Sequence, residues 1–373
     1  MERKLAWDKY DDSSLKDMHT LADGYKAFLD AGKTERECVA EAVRQAKDKG
    51  YTDLNEAIKA GKKIKAGDKV YAICMNKAVA LFNIGTMPLS EGMTILGAHV
   101  DSPRLDLKQN PLYEDNGFAL LDTHYYGGVK KYQWVTPPLA IHGVISKKDG
   151  TNVDVVIGED ENDPVFCITD LLIHLSAKQL EKKGAVVIEG EALDVLFASM
   201  PLAEDKSDDE VEEEKKSIKD KVAAHAMKLL TDKYGVDEDD FLSAELEIVP
   251  AGRARDCGID RSMVMAYGHD DRVCAYTSLV AMLEVDKVKK TTCTLLVDKE
   301  EIGSVGATGM QSRFFENTVA ELLDRVEGYS ELNFRRCLAN SKMLSSDVSA
   351  AYDPNFPEAF EKKNSAFFGK GMV

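Results

Sequence analysis

Four short apolar runs share the property that most constrains the fold: each stops abruptly at a histidine or at acidic or hydroxyl residues. They are MTILGA before His99, MVMAY before Gly268-His269-Asp270-Asp271, CTLLV before Asp298, and KML before Ser345-Ser346-Asp347. Buried strands of parallel sheets typically appear as continuous apolar runs, and ligand sites of such sheets lie beyond the carboxyl ends of the strands. We therefore predict an α/β sheet with its functional site at the strand ends.

The sequence before these runs, and between them, predicts further helices and strands. Residues 1–60 have helical apolar spacing, and Thr34–Glu37 forms a capping-box pattern that opens a helix. KVYAICM and AVALFNIG predict a strand pair, and the apolar spacing of residues 273–283 predicts another helix. An α/β domain is expected from this order of elements.

The middle of the chain has a different pattern of predicted elements, with more strands and a long charged run. PLAIHGVI and NVDVVIG predict strands, DLLIHLSAKQLEKK has a helical pattern, and the charged run EDKSDDEVEEEKKSIKD is typical of a solvated loop. We predict an inserted β-rich domain over residues 105–248, with residues 1–104 and 249–373 as the two parts of the α/β domain.

Composition narrows the function classes. Hydrophobic residues make up 44% and charged residues 30% of the chain, the balance of a globular enzyme. A net charge of -17 argues against nucleic acid and against an anionic membrane as partners. The seven cysteines are scattered without a CxxC pair, no apolar run approaches the roughly 20 residues of a membrane span, and the first residues lack an apolar signal region. Reduced thiols and a cytoplasmic location are expected.

Two of the strand-end patterns contain the residue types of metal chemistry. In His99-x-Asp101, the histidine can bind zinc while the carboxylate orients the ring, although this spacing alone is a weak signal. In Glu300-Glu301, one carboxylate can bind metal while its neighbour acts as general base. An acidic pair at a helix N-terminus is the alternative interpretation.

The remaining strand ends offer aspartates. The two oxygens of an aspartate such as Asp270 can bridge two metal ions, which two-metal hydrolases hold about 3.5–4 Å apart. Asp270-Asp271 is also compatible with a simple helix N-cap. Asp347 completes a set of four strand ends with ligand-type residues, and such a set is difficult to explain by capping alone.

Together these motifs resemble the aspartyl aminopeptidase family of two-zinc metallopeptidases. The matching stretches, in the family's order and through most of the chain, are GAHVDSPRLDLK, IEGEALDVL, GHDDR, DKEEIGS and SSDVSAAYDPNF. The resemblance implies a zinc-peptidase α/β/α sandwich with an inserted β-rich dimerisation domain. It also implies hydrolysis of the N-terminal residue of peptides, including acidic residues, by a dodecamer built from dimers.

The resemblance assigns a role to each polar residue at the strand ends. Asp101 is implied to support His99, Glu300 to be the general base, and Asp270 to bridge the two zinc ions. The implied metal ligands are His99, Asp270, Glu301 and Asp347. His174 matches a histidine that reaches the active site of a neighbouring subunit, with a core histidine on an amphipathic helix as the alternative.

Two features depart from the family pattern. The family carries a further zinc-binding histidine near its end, whereas no histidine follows His269 in this sequence. We therefore expect the second zinc to bind weakly, peptidase activity to be low, and Phe367 and Phe368 to lack packing partners. The segment Trp134–Pro138 lacks the acidic-basic pair of many members, which indicates a divergent branch and leaves the preferred residue open.

Two other function classes remain compatible with the sequence. One is a two-zinc carboxypeptidase or deacylase on a similar fold, which release of the C-terminal residue would identify. The other is a non-catalytic assembly or cargo protein that retains the fold, against which the presence of Glu300 and four candidate ligands argues.

Overall fold

The computed structural model describes residues 4–203 and 220–373, arranged as two compact units. The first unit comprises Met1–Asp101 and Ala254–Val373, and the second comprises Ser102–Arg253. The predicted insertion, residues 105–248, lies within the second unit. The charged run predicted as a solvated loop lies outside the described residues, apart from Asp220.

The first unit is built on a six-stranded sheet. In sheet order its strands are β1 (Thr52–Asp53), β2 (Lys69–Cys74), β3 (Ala78–Asn83), β13 (Thr292–Val297), β4 (Thr94–His99) and β14 (Lys342–Ser345). Strands β13, β4 and β14 are mutually parallel, and Val297 lies beside His99 in the register. The carboxyl ends of these three strands therefore meet at one edge of the sheet.

Helices cover both faces of this sheet. Every residue of β3 is buried; Val79 and Leu81 pack into one apolar cluster, while Ala80 and Phe82 pack into the other. Alternate side chains of a strand point to opposite faces, so this strand needs a layer on each side. The helices are α1 (Asp12–Ala31), α2 (Glu35–Asp48) and α6 (His269–Glu284) on the first face, and α3 (Leu54–Lys59), α7 (Phe314–Val326) and α8 (Glu331–Asn340) on the second. The predicted α/β/α class is confirmed.

One predicted strand of the main sheet lies elsewhere. The run MVMAY contributes only β12 (Met263–Met265), which pairs with β11 (Arg255–Cys257) in a separate two-stranded ribbon. The prediction of a buried strand here is wrong. Val264 and Ala266 pack against the core, while Met263 and Met265 are exposed, so the run covers one face rather than two.

The second unit contains an antiparallel six-stranded sheet and little helix. In sheet order its strands are β8 (Asn152–Ile157), β7 (Leu139–Ser146), β10 (Ala244–Pro250), β5 (Arg104–Asp115), β6 (Phe118–Tyr126) and β9 (Val195–Ala198). Helix α5 (Lys221–Tyr234) buries Val222 and Ala226. No helix in the described part of the chain is long and apolar enough to cross a membrane.

The helix predicted for DLLIHLSAKQLEKK is largely absent. Only α4 (Ala177–Leu180) is helical, and residues 169–176 lie outside regular structure. Leu172 and Ile173 are 56% and 69% exposed, so these apolar residues do not pack into a core formed by residues 4–203 and 220–373. A short helix gains most of its stability from packing of an apolar face, and that packing is missing here.

Candidate metal centre

His99 is the buried residue around which the site is arranged. It ends β4 and is 3% exposed. Its Nδ1 lies 3.0 Å from the Asp101 carbonyl oxygen and 3.3 Å from the Asp101 carboxylate. A proton on Nδ1 satisfies these acceptors, so Nε2 is left as the atom that can bind a metal. The backbone at Asp101 therefore fixes both the orientation and the tautomer of the ring.

Asp270 and Asp347 bring carboxylates to the same point. Asp270 Oδ1 lies 3.3 Å from His99 Nε2. One ligand-type atom each from His99, Asp270 and Asp347 lies within 4.8 Å of the other two. Zinc–ligand bonds are about 2.0–2.2 Å long, so small side-chain movements suffice for these three atoms to bind one ion. The structure thus brings together three of the four predicted ligands, from β4, α6 and the segment after β14.

The Glu300-Glu301 pair reaches the same edge through its backbone. The amides of Glu300 and Glu301 both donate to the Asp101 carboxylate, each at 3.2 Å. Glu300 Oε2 lies 3.7 Å from His99 Nε2. Asp101 therefore connects the end of β4 with the residues that follow β13, and Glu300 lies beside the ligand cluster.

Negative charge is concentrated at this edge, where Asp270, Glu300 and Asp347 are exposed and Asp271 is buried. Burial, and next the charge of Asp270, raise the pKa of Glu301 to about 7. Burial raises the pKa of Asp271 to about 6. Burial lowers the pKa of His99, but the hydrogen bond to Asp101 and the surrounding carboxylates overcome this and raise it to about 9. Such a cluster favours the binding of a cation.

The donor set fits zinc. Among the described residues, His99 Nε2 and Glu301 Oε1 are buried atoms that make no hydrogen bond of good geometry. Buried polar atoms in a folded protein normally have a partner. One imidazole nitrogen with several carboxylate oxygens is a ligand set that zinc accepts. Zinc in catalytic sites polarises carbonyl groups and lowers the pKa of water.

The position of Asp270 depends on the residues around it. Gly268 has φ +86°, and a Cβ there would clash with Arg272 Nη1, so a glycine is needed before the metal residues. Arg272 is buried and donates from Nε to the Val100 carbonyl at 3.2 Å. His269 is not a ligand, because its nitrogens contact the Tyr25 hydroxyl at 2.8 Å and the Val264 carbonyl at 3.1 Å.

Sequence reasoning missed two buried charges beside the site, Arg272 and Asp298. Arg272 is 1% exposed and Asp298 is fully buried. Both lie within the motifs GHDDR and DKEEIGS, yet charged residues usually face solvent, so their types gave no indication of burial.

His174 lies in the second unit and is exposed at the surface. Its neighbours in sequence include four exposed apolar side chains, Leu171, Leu172, Ile173 and Leu175. The alternative of a core histidine on an amphipathic helix is therefore wrong for this chain. Its action in a neighbouring subunit stays a prediction.

Comparison with known proteins identifies the family. Residues 28–373 match the family model described as aminopeptidase I zinc metalloprotease (M18). A Clostridium acetobutylicum protein named probable M18 family aminopeptidase 1 is 59% identical over 372 residues, which cover 100% of this chain and 78% of that protein. A Borrelia garinii protein of the same name is 41% identical, with 100% and 79% covered.

Solved structures agree with these relatives. The crystal structure of an M18 aminopeptidase from Thermotoga maritima matches with a TM-score of 0.89 and 37% identity, covering 100% of this chain and 78% of that one. Aminopeptidase I from Clostridium acetobutylicum matches with a TM-score of 0.88 and 57% identity, with the same coverage. The fold, the zinc-type donor set and these similarities agree, and the chain belongs to the M18 family of zinc metallo-aminopeptidases.

Proposed function

We propose that this chain removes the N-terminal residue of peptides with two zinc ions per chain and Glu300 as general base. The observation that carries the proposal is the convergence of His99, Asp270 and Asp347 within 4.8 Å, with Glu300 Oε2 3.7 Å from His99 Nε2. A ligand cluster with one further carboxylate beside it suits hydrolysis by an activated water.

Each residue has a distinct task in this proposal. His99, Asp270, Glu301 and Asp347 would hold the two ions, with Asp270 shared between them. Glu300 accepts the proton of the attacking water and delivers it to the leaving amine. Asp101 binds no metal; it orients His99 and holds the amides of Glu300 and Glu301. Excess carboxylate at the edge also favours the free α-ammonium group of a peptide, which suits an exopeptidase.

The identity of the N-terminal residue that is removed is a separate part of the proposal. A cavity of about 190 Å³ adjoins the ligands and is lined by Gly97, Ser304, Met310, Met343 and Ser346 among others. The family resemblance supports an acidic N-terminal residue, so Asp and Glu substrates are the first to test beside Leu and Met.

We further propose a homo-oligomer in the cytoplasm, with the dodecamer of dimers that the resemblance implies. The exposed apolar run Leu171–Leu175 supports a contact with a second copy, since contiguous exposed apolar surface commonly marks an interface. His174 in this run would then reach the neighbouring site. The seven cysteines are all free, which suits a reducing compartment.

The test is turnover on a peptide panel together with a zinc count. We expect slow release of the first residue from free peptides, none from N-acetylated copies, and two zinc ions per chain, the second bound more weakly than the first. The acetylated copies are the matched control, because they keep the side chain and remove only the ammonium charge. Release of the C-terminal residue would show a carboxypeptidase, and zinc binding without turnover would show a non-catalytic protein.

A further inference from the structure

The loop that carries Glu300 and Glu301 is closed at its base by two buried side chains. Asp298 follows β13 and is fully buried, and Thr308 is 4% exposed. The Thr308 hydroxyl donates to Asp298 Oδ2 at 2.6 Å, and the Asp298 amide donates to the Thr308 carbonyl at 3.4 Å. These paired contacts join the two ends of the segment 299–307.

Little else in this segment packs against the core. Ile302 and Val305 are 49% and 62% exposed. Lys299 and Ser304 both have positive φ, 70° and 61°, which side chains other than glycine rarely adopt. Since few apolar contacts hold the conformation of this segment, its hydrogen bonds are the main contacts that do so.

The Asp298 carboxylate accepts a hydrogen bond at each end of the loop. Its second oxygen, Oδ1, accepts from the Lys299 amide at 2.7 Å. Lys299 Nζ lies 3.5 Å from Oδ2, and the ion pair of Lys77 and Glu35 at 2.9 Å places one charge of each sign near Asp298. The Lys299 carbonyl in turn accepts from the Ser304 amide at 2.6 Å. The Asp298 carboxylate thus holds the start of the turn from which Glu300 and Glu301 extend, together with the backbone hydrogen bonds of the turn.

We propose that Asp298 and Thr308 are positioning residues, which close the 299–307 loop so that the amides of Glu300 and Glu301 reach Asp101. The role of the loop in catalysis rests on the proposed function above. Its closure and its effect on zinc binding do not depend on turnover.

The test compares Thr308→Val, which removes the hydroxyl without changing the size, with Thr308→Ser, which keeps it. Thr294→Val is the matched control: Thr294 is fully buried in β13 and its hydroxyl donates to the Ser278 carbonyl at 3.3 Å, away from the loop. Asp298→Asn is a second variant, which keeps an acceptor but loses the charge. All are compared with the wild type as zinc-loaded protein and after zinc removal.

We expect Thr308→Val to speed amide hydrogen exchange over residues 299–304 about tenfold in the zinc-free protein. Zinc affinity, measured by chelator competition, should fall about tenfold, since changes behind metal ligands typically cost tenfold to a hundredfold. In the loaded enzyme, kcat should fall about tenfold or more with KM little changed. Thr308→Ser should restore all three measurements, and Thr294→Val should change only the unfolding midpoint.

Two outcomes would overturn the inference: Thr308→Val behaving like Thr294→Val in exchange and zinc affinity, or Thr308→Ser failing to restore either. If the wild type releases no residue from peptides, the proposed function fails, while hydrogen exchange and zinc affinity still decide the role of Asp298 and Thr308.

Discussion

Two regions of the molecule depart from ordinary burial in opposite directions. At the strand ends of the first unit, charged side chains are buried: Asp101 and Asp298 have no exposed surface and Arg272 has 1%. In the second unit, Leu172 and Ile173 are more than half exposed. Buried charges require partners, and exposed apolar groups gain from cover.

The buried charges and the exposed apolar residues differ in whether the same chain supplies their partners. Within the first unit, backbone amides and carbonyls of the same chain satisfy much of the charge, as at Asp101 and Arg272. The apolar run of the second unit has no such cover from the residues that the structure describes. This contrast is consistent with a cation site at the strand ends of the first unit and with a protein contact at the exposed apolar run of the second unit.

The largest effect should come from Glu300→Gln. The change removes the proposed base but no ligand, so kcat should fall by about 10² to 10⁴ while zinc stays bound. Glu301→Gln is the paired variant, and it should lose zinc affinity first. Steady-state peptidase assays measure kcat, and metal analysis measures the zinc that each variant retains. Zinc loss in Glu300→Gln with zinc retained in Glu301→Gln would exchange the two roles.

The sequence predicted the sheet edge well because the periodic signal and the chemistry coincide there. Parallel strands β4 and β13 are mostly apolar and end where polar residues begin, so His99 and Glu300 meet there. The run KML also ends at polar residues and brings Asp347 to the same edge, but the prediction that it is buried is wrong, since all four residues of β14 are exposed. The capping box of Thr34 and Glu37 is confirmed for a similar reason, since both partners lie within one helical turn.

Other elements could not be predicted because their burial depends on tertiary packing, which a local sequence pattern does not reveal. The segment MVMAY has the composition of a core strand, yet it pairs only in a two-stranded ribbon. In α1, Leu21 has helical spacing with Tyr25, Phe28 and Leu29, yet Leu21 is 42% exposed while the other three are buried. Whether an apolar face with the expected spacing is buried depends on whether another element packs against it. That element is formed by residues far away in the chain.

The next largest effect should come from placing charge in the exposed apolar run. If Ile173 contacts a second copy, Ile173→Glu should weaken association about tenfold or more, because a carboxylate at a covered apolar site loses its hydration. Light scattering across a dilution series measures this. Leu229→Glu is the matched control, since Leu229 is 56% exposed on α5 of the same unit.

Mixing experiments sharpen the same prediction. His174→Ala and Glu300→Gln chains should each be inactive alone if His174 acts in a neighbouring site. Mixed oligomers should regain part of the activity, because one subunit then supplies Glu300 and the other supplies His174. An unchanged oligomer in Ile173→Glu, or no recovery on mixing, would contradict an interface at this run.

The smallest effect should come from Thr34, a buried polar residue whose side chain caps α2. Thr34 is 1% exposed; its hydroxyl accepts from the Glu37 amide at 3.3 Å, and the Glu37 carboxylate accepts from the Thr34 amide at 2.9 Å. Thr34→Ala should lower the free energy of unfolding by about 1 kcal/mol, the usual cost of losing such a cap, and Thr34→Ser should lose much less. Urea denaturation measures the cost, and zinc affinity should stay at the wild-type value. If Thr34→Ala also weakens zinc binding, then burial of polar residues in this unit serves the site more widely than the hydrogen bonds at Asp101, Arg272 and Asp298 require.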